Sequence, residues 1–81
     1  PHAYPPLARQ QRVSGVVRLE VTIGEDGTVQ RPRVLSGHLL LQAGLLDNVR
    51  QWVYEPALVN GRPVPVTTQV EVKFNLETRP Q

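Results

Sequence analysis

Three side chains come closest to a catalytic set: Ser36, His38 and Asp47. A serine, a histidine and an aspartate can supply a nucleophile, its general base and the group that orients the base. A simpler interpretation is that Ser36 caps a helical pattern and His38 falls in its first, solvated turn. No pair of carboxylates lies in surroundings that would raise a pKa for acid–base catalysis. We therefore expect no enzymatic activity.

Metal binding and nucleic-acid binding have little support in the sequence. The chain has two histidines and no cysteine, which is a weak donor set for a metal ion. Arg18, Arg31 and Arg33 could share one sheet face, but that face lacks aromatic residues on which bases could stack. Glu20 and Glu71 dilute its charge, and the net charge of the chain is only +2. We expect no cofactor, no metal and no nucleic-acid partner.

The element best suited to position a binding surface lies between residues 64 and 76, where side-chain polarity alternates. A period of two is typical of a strand with one buried face. Prolines occur only at its start, at Pro63 and Pro65, so the backbone from Val66 onward can pair along its length. The inward positions hold Val64, Val66, Thr68, Val70, Val72, Phe74 and Leu76, and the outward ones hold Thr67, Gln69, Glu71, Lys73 and Asn75.

An earlier hairpin should supply the neighbouring strands. Apolar and polar residues alternate from residue 17 to residue 23, and Asp26-Gly27 is a strong signal for a two-residue turn. Because proline cannot donate to a ladder, Pro32 predicts that the second strand is an edge. The register set by the turn predicts the facing pairs Leu19–Val34, Val21–Pro32 and Glu20–Arg33.

The period becomes helical from residue 38 to residue 52, which predicts one helix packed on the sheet. Gly44 costs about 1 kcal/mol relative to alanine inside a helix, so we expect it to allow close approach to the sheet, unless the position is simply tolerated. Trp52 is expected in the core, whereas Tyr54 fits the core and a binding patch equally well. The apolar face consists of Leu41, Leu45, Val49 and Trp52.

The first residues are rich in proline, and a short helix is expected over residues 7–12, ended by Ser14-Gly15. We expect one domain over residues 1–81, with residues 1–6 as the end of a spacer. The chain begins at Pro1 without Met, and no apolar run approaches the ~20 residues of a membrane span. We therefore expect a fragment whose targeting or anchoring segment lies elsewhere.

These elements predict an α+β domain in the order helix, strand, strand, helix, strand. A right-handed crossover over the first strand places the third strand beside it and parallel to the second. The expected sheet is three-stranded, antiparallel or mixed, in the order 2-1-3, with two helices. Apart from Lys73 and the charged outer face, nothing obvious guards the outer edge of strand three. That edge is a candidate pairing surface.

A series of motifs runs in order from Tyr4 to Leu76. It comprises Tyr4-Pro5 with Ala8, Gly15-x-Val17, Asp26-Gly27-x-Val29, Val34-Leu35-Ser36-Gly37, Leu41, Val49, Arg50-x-Trp52-x-Tyr54-x-Pro56-Ala57, Asn60-Gly61-x-Pro63 and Val70-x-Val72-x-Phe74. Each motif is weak alone, but the ordered set with these spacings is specific. The chain in this respect resembles the C-terminal domain family of TonB, the periplasmic energy transducer of Gram-negative bacteria.

The resemblance implies a non-enzymatic periplasmic domain that binds the TonB box of outer-membrane transporters as a strand added to strand three. It also implies that force comes from a proton-driven inner-membrane complex, through a missing segment that tethers the domain to the inner membrane. The implied site residues are Val66, Thr67, Thr68, Gln69, Val70, Glu71, Val72, Lys73 and Phe74, flanked by Tyr4 and Pro5.

The same edge supports a rival interpretation. Strand three could pair with its own copy in a symmetric homodimer. The domain could equally serve as an assembly module of another envelope protein, with a partner that is not a transporter. The sequence leaves these alternatives open.

Overall fold

The computed structural model describes residues 4–76, so residues 1–3 of the predicted spacer and residues 77–81 lie outside the described part. A three-stranded sheet carries helical segments on one face, and a small hairpin stands apart from it. In chain order the elements are α1 (Pro6–Gln10), β1 (Gly15–Ile23), β2 (Val29–Ser36), a 3₁₀ turn (Leu39–Leu41), α2 (Leu45–Val49), β3 (Ala57–Val59), β4 (Arg62–Val64) and β5 (Val66–Phe74).

The predicted sheet order is confirmed: β1 lies in the centre, with β2 on one side and β5 on the other. Both neighbours are antiparallel to β1, so β5 runs in the same direction as β2 and the sheet is fully antiparallel. The β5 ladder is continuous from the Gly15–Phe74 pair to the Ile23–Val66 pair. A central strand without proline can pair on both sides along its length.

The last predicted strand starts later than expected, because Val64 belongs to a separate hairpin. In that hairpin β4 pairs with β3, with Val64 facing Ala57. Asn60 and Gly61 both have positive φ, 52° and 78°, as a two-residue type I′ turn requires. Pro65 has no N–H and separates this hairpin from β5. The sequence identified the turn and missed the two short strands beside it.

The turn between β1 and β2 also differs from the two-residue loop predicted at Asp26-Gly27. Ile23 faces Val29, and the Gly27 N–H donates to the Gly24 carbonyl at 3.0 Å. A type I turn followed by Gly27 at φ 84° therefore closes the hairpin, one residue longer than predicted. The Asp26 carboxylate supports the turn, since it accepts hydrogen bonds from the Thr28 N–H at 3.0 Å and hydroxyl at 2.7 Å.

A bulge at Arg31, with φ 49°, restores the predicted register further along the hairpin. The Leu19–Val34 and Glu20–Arg33 pairs are confirmed. The Val21–Pro32 pair is wrong, because the ladder shifts between Glu20 and Thr22 where the extra residue is accommodated. Pro32 is nevertheless buried.

The single helix predicted from residue 38 to residue 52 is also wrong. It divides into the 3₁₀ turn and α2 at Gly44, whose φ of 71° is left-handed. A Cβ at Gly44 would have nothing within 4 Å, so this glycine serves backbone conformation and not close approach to the sheet. His38, not Ser36, caps the 3₁₀ turn, because its Nδ1 accepts the Leu40 N–H at 3.1 Å.

The core forms between the inner sheet face and the helical segments. The predicted apolar helical face survives the break, since Leu41, Leu45 and Val49 are all buried. Trp52 is half-buried against this core, and its indole N–H donates to Oδ1 of Asn48 at 2.9 Å. The largest fully buried side chains are Phe74, Leu19, Leu41, Val17, Val21 and Val49. Within residues 4–76, no helix is long and apolar enough to cross a membrane.

Replacing Gly27 with alanine should destabilise the domain more than replacing Gly61. Both glycines have left-handed φ, but a Cβ at Gly27 would lie 2.0 Å from the Tyr54 carbonyl oxygen, whereas at Gly61 it meets nothing within 4 Å. We expect Gly61→Ala to cost about 1 kcal/mol and Gly27→Ala about 3 kcal/mol or more. Urea unfolding midpoints measure both, and equal losses would contradict the predicted clash.

Candidate partner-binding edge

β5 presents one long side without a neighbour. It pairs with β1 through its inner side, and no strand within residues 4–76 pairs with its outer side. The strand contains no proline, no bulge in the β1 ladder and no residue with positive φ. Backbone N–H and C=O groups on an uncovered strand edge form a regular template for another strand.

The opposite edge of the sheet, formed by β2, is guarded by its own backbone. Pro32 removes a donor and the Arg31 bulge twists the strand. Val53 bridges Thr28, and the Tyr54 N–H donates to the Gly27 carbonyl at 2.8 Å, which covers the start of this edge. The two edges are therefore unequal, and β5 is the one suited to strand pairing.

Burial along β5 is graded from one end to the other. Phe74 and Val72 are buried, and Val70 packs partly against the core. Thr68 is exposed and Val66 is 38% exposed, although both belong to the inner set of the predicted strand. The prediction of one buried face is thus right for the Phe74 half only. Around Val66 the strand is open on both faces as well as along its edge.

Polar contacts tie the outer face of β5 to β1. The Arg18 guanidinium donates to the Glu71 carboxylate at 2.8 Å, and the hydroxyls of Thr22 and Thr67 are hydrogen-bonded at 3.0 Å. The hydrogen bond and the positive charge of Arg18 lower the pKa of Glu71. The exposed Arg18–Glu71 pair and the part-buried pair of threonine hydroxyls hold these side chains in register without occupying the backbone edge.

Tyr4 and Pro5 lie at the Phe74 end of β5, far from it in sequence and close to it in space. The Tyr4 ring meets the Phe74 ring edge to face, with centroids 5.4 Å apart. The Tyr4 hydroxyl donates to the Val13 carbonyl, and the Arg9 guanidinium lies 5.0 Å from the Tyr4 ring centroid. Pro5 is buried at the start of α1. The structure thus places Tyr4, and with it the adjacent Pro5, at one end of the strand that holds the other predicted site residues.

The residues considered for catalysis are not assembled. Ser36 is the exposed last residue of β2, His38 binds the Leu40 N–H, and Asp47 accepts a hydrogen bond from Arg50 at 3.1 Å. Within the part of the chain that the structure describes, no three His, Cys, Asp or Glu side chains are grouped as metal ligands would be.

Sequence reasoning missed the role of Arg9. This residue looked like an ordinary surface position of a short helix, yet its guanidinium covers the ring that packs on the end of β5. Its distance of five residues from Tyr4 matches no common pattern of side-chain pairing on a helix, so no local signal pointed to the contact. Only the turn of the chain from Tyr4 into α1 places the two side chains together.

Comparison with a solved structure shows the same fold. The solution NMR structure of the Pseudomonas aeruginosa TonB C-terminal domain superposes with a TM-score of 0.78 at 24% identity, covering 99% of this chain and 83% of that one.

Sequence comparison points to the same group of proteins. Protein TonB of Vibrio cholerae serotype O1 is 29% identical over 76 residues, which are 91% of this chain. The chain covers only 31% of the length of that relative. The family described as "Gram-negative bacterial TonB protein C-terminal" matches residues 1–76. The chain therefore belongs to the TonB C-terminal family, as a non-enzymatic periplasmic domain.

Proposed function

We propose that this domain binds the TonB box of outer-membrane transporters, which adds as a strand to the outer edge of β5. The observation that carries the proposal is the unbroken nine-residue ladder between β5 and β1, which leaves the other side of β5 regular and without a strand neighbour within residues 4–76. An added segment would continue the antiparallel sheet beyond β5 or join it in parallel. In either direction it meets backbone groups in their strand geometry.

The chemistry of such an interface is mainly that of the backbone. Each backbone hydrogen bond contributes about 0.5–1.5 kcal/mol net, so several of them can offset the ordering of a short peptide. Side chains from residue 66 to residue 69 are all exposed, so they impose little shape on a partner. Such an edge accepts segments of differing sequence, provided that they are extended.

Tyr4 and Pro5 would flank the bound segment where it passes Phe74. The Tyr4 ring is held by Phe74 and by the Val13 carbonyl, so its position at that end of the strand is fixed before a segment binds. Force would reach the domain from a proton-driven inner-membrane complex, through a preceding segment that tethers it to the inner membrane. In this function the domain couples the proton motive force to active uptake.

A second candidate is pairing of β5 with β5 of another copy, in a homodimer or in an assembly module of another envelope protein. The same regular edge supports it, because two antiparallel copies of one nine-residue strand can pair about a two-fold axis. Peptide binding and self-pairing would compete for one surface. They can be separated by varying the protein concentration.

An amide-resolved NMR titration with TonB-box peptides from the same organism tests the proposed function directly. We expect shifts and new exchange protection from Val66 to Phe74 and near Tyr4, because the added strand covers the open side of β5. The control is the free domain at several low concentrations. Protection of β5 already present at those concentrations, with no response to peptide, would favour the homodimer instead.

Proline substitutions should separate backbone recognition from side-chain recognition. Neighbouring N–H groups of β5 point alternately toward β1 and toward the open edge. Of Thr68→Pro and Gln69→Pro, one therefore removes an N–H that β1 uses and destabilises the fold. The other should fold and lose about tenfold in peptide affinity, which corresponds to about 1.4 kcal/mol.

Thr68→Ala and Gln69→Ala are the matched controls, because they keep the backbone donors. We expect their peptide dissociation constants, measured by calorimetry, to stay within about twofold of the parent value. A folded proline variant of either residue with undiminished affinity would count against strand addition. A large loss in the alanine variants would show that side chains carry the binding.

A further inference from the structure

Two arginines at the Phe74 end of β5 have no acidic partner within residues 4–76. The ion pairs of the described residues use other arginines, which are Arg18, Arg33 and Arg50. Arg9 lies over the Tyr4 ring, so a single aromatic ring separates its guanidinium from the Phe74 ring. Arg12 is exposed one turn further on, where its N–H donates to the Arg9 carbonyl at 3.1 Å. Arg9 and Arg12 are both exposed, and we call this pair of residues the Arg9–Arg12 patch.

The other end of β5 is acidic. Glu25 and Asp26 of the hairpin turn, together with Pro65, line an open cavity of about 420 Å³ just before β5 begins. Hydrogen bonds from the Thr28 hydroxyl and amide lower the pKa of Asp26 below its ordinary value. Arg62, on β4, is near this end in sequence.

We propose that the Arg9–Arg12 patch recognises an acidic side chain of a segment added to β5. This side chain belongs to the end of the segment that lies beside Phe74. The inference rests on the proposed strand addition to β5 and specifies the chemistry of its partner. The partner is an extended segment with a carboxylate at one end only. A carboxylate at the opposite end would face Glu25 and Asp26 and would be repelled.

The two ends act independently because the strand is long compared with electrostatic screening. Nine residues of strand span about 30 Å, whereas charges in physiological salt are screened over about 8 Å. An exposed ion pair changes affinity by only about threefold. The discrimination between the two placements of the carboxylate is larger, because attraction at one end adds to repulsion at the other.

Three synthetic peptides test the inference. Each has nine residues, the length of β5, and they differ only in carrying no aspartate, one at the amino end or one at the carboxyl end. A nitroxide label beside the aspartate shows which end of β5 it approaches, through broadening of nearby amide signals. We expect the peptide with its aspartate at the Phe74 end to bind about threefold more tightly than the neutral peptide at low salt. The advantage should disappear in high salt.

The Arg9→Gln/Arg12→Gln variant should bind the peptide with its aspartate at the Phe74 end no more tightly than the neutral peptide. The peptide with its aspartate at the Val66 end should remain the weakest, because Glu25 and Asp26 are unchanged. Arg12→Gln alone keeps the Arg9–Tyr4 contact, so it separates loss of charge from any disturbance of Tyr4. Arg31→Gln is the control, because it removes an exposed charge from β2, at the opposite edge of the sheet. An advantage of the Phe74-end aspartate over the neutral peptide that survives in the double variant, or an aspartate located beside Val66 in the tighter complex, would overturn the inference alone. Failure of the neutral peptide to perturb β5 would overturn the proposed strand addition as well.

Discussion

The ladder between β1 and β5 is the interaction on which the rest of the structure depends. It joins residues about fifty positions apart without a single irregularity, and it makes β1 the central strand. Its alternation directs Val17 and Leu19 of β1 into the core together with Val72 and Phe74 of β5. The ladder uses the backbone N–H and C=O groups of β5 that point toward β1, so it also determines which backbone groups remain for a partner.

The two edges of this small sheet show how a protein keeps one strand open and closes another. β2 carries Pro32 and the Arg31 bulge, and the segment at Val53 covers its start. β5 has none of these features between Val66 and Phe74. Unprotected edges expose a protein to unwanted pairing, so an open edge next to a guarded one is consistent with a binding function.

Side-chain burial decreases along β5 from Phe74 to Val66, so the two ends of the open edge differ. At Phe74 the strand is anchored by Tyr4 and bordered by Arg9, whereas at Val66 it is exposed and begins beside the cavity lined by Glu25 and Asp26. Backbone pairing alone would treat every extended segment alike. In the proposed strand addition, selectivity would come from the ends, where rings and charges replace the uniform chemistry of the ladder.

The sequence by itself determined the three strands of the main sheet, their order and the edge without proline, because period-two alternation indicates strands and Pro32 marks the opposite edge. It failed at the hairpin turn, at the β3–β4 hairpin and at Gly44. A turn that is one residue longer can be compensated by a bulge further along the strand, so the alternation of apolar and polar residues does not reveal either. A left-handed glycine interrupts a helix but leaves the spacing of its apolar residues unchanged. Only the tertiary structure decided that Val66 is exposed, and that Tyr4 and Arg9 meet the end of β5, since such contacts join elements whose relative placement no local pattern encodes.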